Sequence, residues 1–437
     1  MRRGLFPRGA ERRVHQALAD TRVVAIVGPR QVGKTTLVRE LIQRDQRASF
    51  FTLDDPVVLE AVRADPAALV ADRRGLVVFD EVQRAPELML AIKLAVDEDR
   101  RPGQFLLTGS ADLLSVRGLA DALAGRIELI DLLPLTQGEL EGKPSRFIDQ
   151  ILTGRFRGLG GTRPDKRDYL RRAVAGGFPE AIARPEGRRR GVWFESYAKT
   201  VTEREVPNLV DLFRIRDLPR LLRLVAARHA SVLNVADLAR DAGIPERTVH
   251  RYLDVLEGVY LIRRVRAWSG NLTAREARQP KIYITDSGLA AHLRGATTER
   301  LMRSVTSHGT DGPILEGLVV GELMAQSTWA ATLTEIFHYR DRDGREVDVL
   351  VEANDGAIVG LEVKASSTVR SDDFRSLAFL RDRLHDRFVL GVVLYAGQRT
   401  LSFGERLRAL PIAALWQVST KSSTEDSLGP GYGVSAP

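Results

Sequence analysis

The sequence predicts an α/β protein of about three domains, because three stretches of its 437 residues have different patterns. Short apolar runs alternate with helical patterns over residues 22–160, which is typical of a parallel sheet covered by helices. Residues 232–262 have the spacing of two short helices joined by a tight turn. Residues 333–364 alternate apolar and polar side chains with period two, which indicates strands.

The composition excludes several classes of site. The chain has no cysteine, so it has no disulfide, no cysteine-ligated zinc and no thiol nucleophile. No stretch approaches the ~18 apolar residues of a membrane helix, and the first residues lack the apolar core of a signal peptide. We therefore expect a cytoplasmic protein with no membrane partner. The net charge of +8 fits a polyanionic partner, and it fits arginine-rich surfaces without one equally well.

The first motif is GPRQVGKT, which follows the apolar run RVVAIVG and precedes the helical pattern TTLVRELIQ. This is the P-loop pattern in the context that it requires. Its backbone amides and the helix N-terminus would hold phosphates, Lys34 would reach the β- and γ-phosphates, and Thr35 would offer its hydroxyl to Mg²⁺. The predicted nucleotide-binding residues are Gly28, Pro29, Arg30, Gln31, Val32, Gly33, Lys34, Thr35 and Thr36.

Two acids follow the next apolar run, in LVVFDEVQR. Asp80 would hold the Mg²⁺ together with Thr35, and Glu81 would orient or deprotonate the attacking water. Asp and Glu are also common at helix caps, so a cap is the alternative interpretation. A third run ends in LLTGS, where Thr108 or Ser110 would sense the γ-phosphate; a simple turn is the alternative there.

A transferring phosphoryl group often draws an arginine from the same chain or from a neighbouring one. Arg126 in LAGRIEL and Arg204 in TVTEREV are the candidates, and the sequence leaves the choice between them open.

Together, GPRQVGKTTL, DEVQR, LTGS, LAGR, LPLTQGEL, GGFPEA, TEREV and KIYITDSGLAAHL resemble a family of bacterial and archaeal AAA-type P-loop ATPases with a C-terminal domain of unknown function. The resemblance runs from about residue 5 to about residue 420. It implies binding of ATP and Mg²⁺, a winged-helix middle, and a C-terminal core similar to restriction endonucleases. The expected domains are an ATPase domain (1–160), a helical lid with the winged helix (165–300), a restriction-endonuclease-like α/β domain (305–420) and a disordered tail (421–437).

The stretch NVADLARDAGIPERTVHRYLDVLEGVYLI predicts a helix-turn-helix, with Gly243 in the turn. Its expected core is Ala236, Leu238, Ala239, Val249, Leu253 and Leu256. Arg247, His250 and Arg251 fall on the outer face of the second helix, where they would contact DNA phosphates or base edges. The alternative is a module that serves as the ATPase lid or contacts a protein.

The stretch EVDVLVEANDGAIVGLEVKAS predicts a hairpin with its turn at Asp355. That register places Asp348 opposite Glu362, and we expect Asp348, Glu362 and Lys364 on the face away from Val347, Val349 and Val351. Two facing carboxylates repel one another unless a cation lies between them, so the pattern predicts a Mg²⁺ site for phosphodiester cleavage. Lysine is rare in this chain, and a compact ammonium at 364 suits a metal-bound phosphate.

The D-(x13)-E-x-K spacing of this hairpin resembles the restriction-endonuclease-like core, which often adds an acid from a preceding helix. Glu316 fits that role and Glu322 is its rival. A solvated sheet face with a Glu–Lys pair is the alternative. The sequence thus predicts an ATPase that acts on nucleic acid, with a homo-oligomer as one option. The competing hypotheses are a signalling ATPase whose C-terminal part binds protein, and an enzyme that transfers a nucleotidyl group.

Overall fold

A computed structural model describes residues 5–43, 47–71, 75–110, 123–154, 163–209, 215–303 and 311–417. The predicted disordered tail (421–437) lies outside the described residues. No helix within these ranges is long and apolar enough to cross a membrane.

The N-terminal part contains a five-stranded sheet in which every recorded strand pair is parallel. Its strands are β1 (Val23–Val27), β2 (Ser49–Thr52), β3 (Val77–Asp80), β4 (Phe105–Gly109) and β5 (Ile127–Asp131), in the order β2-β3-β4-β1-β5. Strands β1, β3 and β4 are fully buried, which is why they appear in the sequence as unbroken apolar runs. The predicted α/β fold with a parallel sheet is confirmed.

Helices cover both faces of this sheet, and two short helices follow it. They span Glu11–Asp20, Lys34–Ile42, Pro56–Ala64, Pro66–Ala71, Leu88–Glu98, Gln137–Leu140 and Phe147–Leu152. Because parallel strands end at a common edge, the loops after β1, β3 and β4 meet there.

The middle part is mostly helical. Its helices span Lys166–Ala175, Pro179–Ile182, Arg188–Thr200, Val206–Leu209, Leu218–Ala227, Val235–Ala242, Glu246–Gly258, Leu272–Ala277, Ser287–Leu293 and Thr298–Arg303, with a π-helical turn at Val201–Glu205. Strands β6 (Ser231–Val232), β7 (Ile262–Val265) and β8 (Lys281–Ile284) form an antiparallel sheet with β8 in the centre.

The helix-turn-helix predicted from the sequence corresponds to Val235–Ala242 and Glu246–Gly258. Gly243 between them has a left-handed backbone (φ 68°), which glycine adopts without a steric penalty. Most of the expected core is buried. Ala236 is the exception, because its side chain is exposed. Ala242, near the end of the same helix, is buried although it was not predicted to be.

The C-terminal part is a six-stranded mixed sheet. Its strands are β9 (Thr334–Arg340), β10 (Glu346–Ala353), β11 (Ile358–Lys364), β12 (Phe388–Tyr395), β13 (Leu401–Ser402) and β14 (Leu407–Pro411), in the order β13-β14-β12-β11-β10-β9. Helices span Asp311–Ser327, Arg375–Leu384 and Ala414–Gln417.

The predicted hairpin register is present in β10 and β11, where Val349 lies opposite Leu361 and Val351 opposite Val359. The expectation for Val347 is wrong. The pairing of β10 with β9 shifts between Val347 and Leu350, and Val347 packs into a different hydrophobic cluster from Val349 and Val351. A bulge of this kind changes which face a side chain occupies.

The middle and C-terminal parts share one hydrophobic core. Buried residues of the middle sheet, such as Ile282 and Ile284, belong to the same cluster as Val349 and Leu361 of the C-terminal sheet. Phe147 and Ile151, from the end of the N-terminal part, also join it. Separating the two later parts would therefore expose a continuous apolar surface to water.

Candidate functional site: a nucleotide cleft and a buried carboxylate cluster

The P-loop runs from the end of β1 to the N-terminus of the helix Lys34–Ile42. Gly28 has φ 151°, and a Cβ there would lie 2.2 Å from the carbonyl oxygen of Leu132. Gly33 has φ 102° and caps the helix. Both positions need glycine, so the loop can curve tightly and leave its amides directed at the cleft.

Lys34 is buried, and its ammonium donates hydrogen bonds to the carbonyl oxygens of Gly28 (2.9 Å) and Pro29 (2.8 Å). Burial lowers the pKa of Lys34 to about 8, although the nearby Glu81 and Asp80 favour its charged form. The side chain is thus held within the loop, at the position where phosphates would receive its positive charge.

Asp80 ends β3 and lies next to the P-loop helix. The Thr35 hydroxyl is 2.9 and 3.1 Å from its two carboxylate oxygens, and the Thr108 hydroxyl at the end of β4 also donates to it. A hydroxyl and a carboxylate are the oxygen ligands that Mg²⁺ takes in proteins. Thr35 and Asp80, both predicted from the sequence, are therefore suited to hold this ion.

Glu81 follows with a left-handed backbone (φ 61°), which is uncommon for a residue other than glycine. Its N–H donates to the Thr108 hydroxyl at 3.1 Å, and its carboxylate accepts from Ser110 at 3.2 Å. The side-chain amide of Gln83 lies between Glu81 and Ser110. It donates hydrogen bonds to the Glu81 carboxylate and, at 2.9 Å, to the Ser110 hydroxyl. Gln83 was not predicted as a site residue, although it belongs to the DEVQR motif.

A cleft of about 650 Å³ opens over the P-loop and includes Arg30, Gln31, Val32, Gly33, Lys34, Thr35 and Thr36 among its lining residues. The middle part forms its other wall, with Pro179, Trp193, Tyr197, Thr200, Val201 and Glu205. This wall was not predicted, because it comes from residues about 150 positions after the P-loop. A nucleotide in the cleft would contact both parts of the chain.

The two parts are also joined by an ion pair between Arg30 and Glu205. Burial raises the pKa of Glu205, and the Arg30 guanidinium opposes that shift. Glu205 ends the π-helical turn Val201–Glu205, a distortion often found at functional sites. Its neighbour Arg204, a predicted catalytic residue, is exposed and is not among the residues that line the cleft.

Arg126 does not reach the P-loop of its own chain. It precedes β5, at the edge of the sheet opposite the P-loop, and forms an ion pair with Asp97. Five residues of strand separate the two edges, a span of about 16 Å. Of the two alternatives for Arg126, action on a neighbouring copy therefore stays a prediction, because the residue lies far from the P-loop of its own chain.

On the helix Glu246–Gly258, Arg247, His250 and Arg251 are all exposed. Their spacing places them on one side of the helix, opposite the buried Val249, Leu253 and Leu256. Glu246 lies 3.8 Å from the His250 ring, so the face carries one acid as well.

In the C-terminal part, Glu316, Asp348, Glu362 and Lys364 come together as predicted, and the rival Glu322 lies elsewhere. Glu322 accepts a hydrogen bond from the Gln137 N–H at 2.6 Å, and burial raises its pKa to about 8. Lys364 lies 3.5 Å from Glu362. Burial, together with the nearby Asp348, raises the pKa of Glu362 well above its usual range.

Lys281 of β8 also belongs to this cluster, and its presence there was not predicted from the sequence. Its ammonium lies 3.0 Å from Glu316 and 3.1 Å from Asp348. In the part of the chain that the structure describes, no group of three or more His, Asp or Glu side chains is arranged to hold a metal ion. The ammonium of Lys281 thus lies beside two of the predicted metal ligands, Glu316 and Asp348. The Mg²⁺ site expected at Glu316, Asp348 and Glu362 stays a prediction.

The family described as an AAA domain matches residues 20–141, and two domains of unknown function, DUF8612 and DUF4143, match residues 166–300 and 311–415. The uncharacterized proteins Mb2031c of Mycobacterium bovis and Rv2008c of Mycobacterium tuberculosis are each 30% identical over 423 residues, covering 96% of this chain and 86% of theirs.

Among solved structures, the Walker-type ATPase PABY2304 of Pyrococcus abyssi is similar with a TM-score of 0.41 and 17% identity, over 67% of this chain and 97% of that one. Residues 20–141 match the AAA domain, and the two mycobacterial relatives are 30% identical over 96% of this chain. The chain therefore belongs to a family of AAA-type P-loop ATPases that carry a C-terminal domain of unknown function.

Proposed function

We propose that this protein hydrolyses ATP at the P-loop cleft with Mg²⁺. The observation that carries the proposal is the contact of the Thr35 hydroxyl with both carboxylate oxygens of Asp80, beside the buried Lys34 ammonium. Mg²⁺ held by these two residues would offset the negative charge of the phosphates. Lys34 adds a second positive charge at the same place, so the chain supplies the electrostatic part of phosphoryl transfer.

In this proposal Glu81 accepts the proton of the attacking water. Gln83 and Ser110 hold its carboxylate in one position, and the Thr108 hydroxyl anchors its backbone. A base that is fixed before the substrate arrives need not be ordered during the reaction, which favours the chemical step. Transfer of a nucleotidyl group would need an acceptor group in the cleft, and hydrolysis needs water alone.

The test is to incubate the protein with ATP and Mg²⁺ and to separate the nucleotide products. We expect ADP and phosphate. AMP or a labelled acceptor would instead indicate group transfer. Lys34→Ala should lose ATP binding, because the phosphates lose the ammonium of the P-loop; wild-type affinity in this variant would place the nucleotide elsewhere.

A second function, binding of duplex DNA, is favoured by the exposed Arg247, His250 and Arg251 on the second helix of the helix-turn-helix. We propose that the helices Leu218–Ala227, Val235–Ala242 and Glu246–Gly258 form a winged helix with the sheet β6–β8. In this proposal the exposed face of the helix Glu246–Gly258 contacts phosphates or base edges. The three-helix and three-strand order supports this assignment. Binding of a protein partner by the same face is the competing outcome, and it would lack the salt dependence of DNA binding.

For the C-terminal part we propose a fold similar to restriction endonucleases. The hairpin of β10 and β11 and the helix that carries Glu316 support it, because these elements bring acids from two sources to one end of a mixed sheet. The Lys281 ammonium lies beside Glu316 and Asp348, where a cleavage site of this kind would hold Mg²⁺.

A further inference from the structure

Lys281 is the most completely enclosed cation of the C-terminal cluster, with only 2% of its surface exposed. Its ammonium contacts three carboxylates, those of Glu316 at 3.0 Å, Glu346 at 2.7 Å and Asp348 at 3.1 Å. An ammonium has three N–H donors and no acceptor, so three carboxylates satisfy it completely. A planar guanidinium spreads its donors over a wider fork and matches this arrangement poorly.

The surrounding residues fix two of these carboxylates. The Tyr283 hydroxyl donates to Glu316 at 2.6 Å, and the Val363 N–H donates to Asp348 at 2.9 Å. Both donors are parts of strands, so the oxygens are held in place by the sheets. The carboxylates of Glu316 and Asp348 are therefore held in place around one cation, and that cation is the Lys281 ammonium.

Strand β8, which carries Lys281, cannot move away from the cluster independently of its neighbouring strands. β8 lies between β6 and β7, and its Ile282 and Ile284 are buried in the core shared with the C-terminal sheet. Moving Lys281 out would break backbone pairing, expose apolar surface and leave three carboxylates without their cation. The lysine is therefore a permanent part of the cluster in the folded chain.

We propose that Lys281 takes the place of a metal ion among Glu316, Glu346 and Asp348, and so excludes divalent cations from these acids. The middle part of the chain thereby converts a nuclease-like site into a structural ion-pair network that joins it to the C-terminal part. On this basis, which rests on the restriction-endonuclease-like fold proposed above, the C-terminal part carries out no metal-dependent cleavage, and ATP hydrolysis is the chemical step of the protein.

The test measures Mn²⁺ binding to the full chain without nucleotide, from the electron paramagnetic resonance signal of free Mn²⁺. Wild type should not take up Mn²⁺ at this cluster. Lys281→Ala removes the ammonium and leaves room for an ion among the carboxylates, and it should bind about one Mn²⁺ per chain. The added site should vanish in Lys281→Ala with Asp348→Asn. That double variant also corrects for any Mn²⁺ at the P-loop.

Two results would overturn the proposal. One is Mn²⁺ binding by wild type that Asp348→Asn abolishes, because the lysine would then not exclude the ion. The other is a folded Lys281→Ala protein that binds no added Mn²⁺. If Lys281→Ala does not fold alone, Lys281→Ala with Glu346→Gln reduces the excess negative charge. Its melting temperature should rise with Mn²⁺ while that of wild type stays constant, and equal responses of the two would refute the proposal.

Discussion

The hydroxyl of Thr35 lies 2.9 and 3.1 Å from the two carboxylate oxygens of Asp80, although 45 residues separate them in the sequence. The contact exists because β1 and β3 are parallel strands of one sheet and end at the same edge. It brings the P-loop and the first acid of DEVQR to a single point. The proposed ATP hydrolysis depends on the residues around that point.

Glu81→Gln should bind ATP and fail to hydrolyse it. Glutamine has nearly the same shape and can still contact Gln83 and Ser110, but its amide cannot accept the proton of water. Turnover should fall by about 10²–10⁴-fold. Steady-state phosphate release and equilibrium binding of a fluorescent ATP analogue measure the two quantities separately.

Asp97→Asn is a suitable control for this variant, because it also changes one carboxylate to an amide but lies with Arg126 at the other edge of the sheet. It should leave turnover near that of wild type. If Glu81→Gln also turns over normally, another residue activates the water.

The affinity for ATP should depend on pH through Lys34. Burial lowers the pKa of its ammonium to about 8 in the free protein, and bound phosphates should raise it again. Binding therefore takes up a proton when the pH is above about 8. Affinity should be roughly constant below pH 7 and about tenfold weaker at pH 9 than at pH 7.

Isothermal titration calorimetry measures this proton uptake, because the observed enthalpy then changes with the ionisation enthalpy of the buffer. At pH 9 two buffers should give different enthalpies, and at pH 6 they should agree as far as Lys34 is concerned. Equal affinity at pH 7 and pH 9 would mean that Lys34 keeps its proton in the free protein.

The local parts of the nucleotide cleft were predictable from the sequence. Apolar runs that end in Gly28, in Asp80 or in Ser110 identify the strand ends, and parallel pairing then brings those ends together. The hairpin register was predictable for a similar reason, since a short turn at Asp355 fixes which residues face one another. Both predictions depend on nearby residues or on a single sheet.

Contacts between distant parts of the chain were not predictable. The Arg30–Glu205 pair and the Lys281–Asp348 contact join segments that carry no mutual pattern in one sequence. The period-two pattern also misplaced Val347, because a bulge changes the alternation without changing the residue types.

DNA binding through the second helix predicts a change in salt dependence. Replacing Arg247 and Arg251 with alanine removes two charges from one exposed face. If both neutralise phosphates, the slope of log affinity against log salt should decrease in magnitude by about two. Fluorescence anisotropy with a labelled duplex between ~50 and 200 mM salt measures this slope.

The matched control replaces Arg188 and Arg189, two exposed arginines on another helix, with alanine. It lowers the net charge equally, so it should leave the slope unchanged if binding is local to the second helix. The same slope in wild type and in both variants would exclude this helix as a DNA contact and favour a protein partner.

Glu322 should make the stability of the protein depend on pH. Its carboxyl group is buried where the helix Asp311–Ser327 meets the N-terminal part, and burial raises its pKa from 4.5 to about 8. Between pH 4.5 and about pH 8, the Glu322 carboxyl group is therefore protonated in the folded state and ionised in the unfolded state. Stability from this group is therefore full below pH 4.5 and is lost as the pH rises towards 8, by up to about 1.4 kcal/mol per pH unit.

Glu322→Gln removes this titration and keeps an oxygen that can accept from the Gln137 N–H, whose distance to Glu322 is 2.6 Å. Other ionisable groups are the same in both proteins, so the difference between their melting temperatures isolates Glu322. Relative to wild type, the variant should become more stable as the pH rises from 5 to 8, and the difference should level off above 8. A constant difference over that range would mean that the Glu322 carboxyl is already ionised at pH 5 in the folded protein.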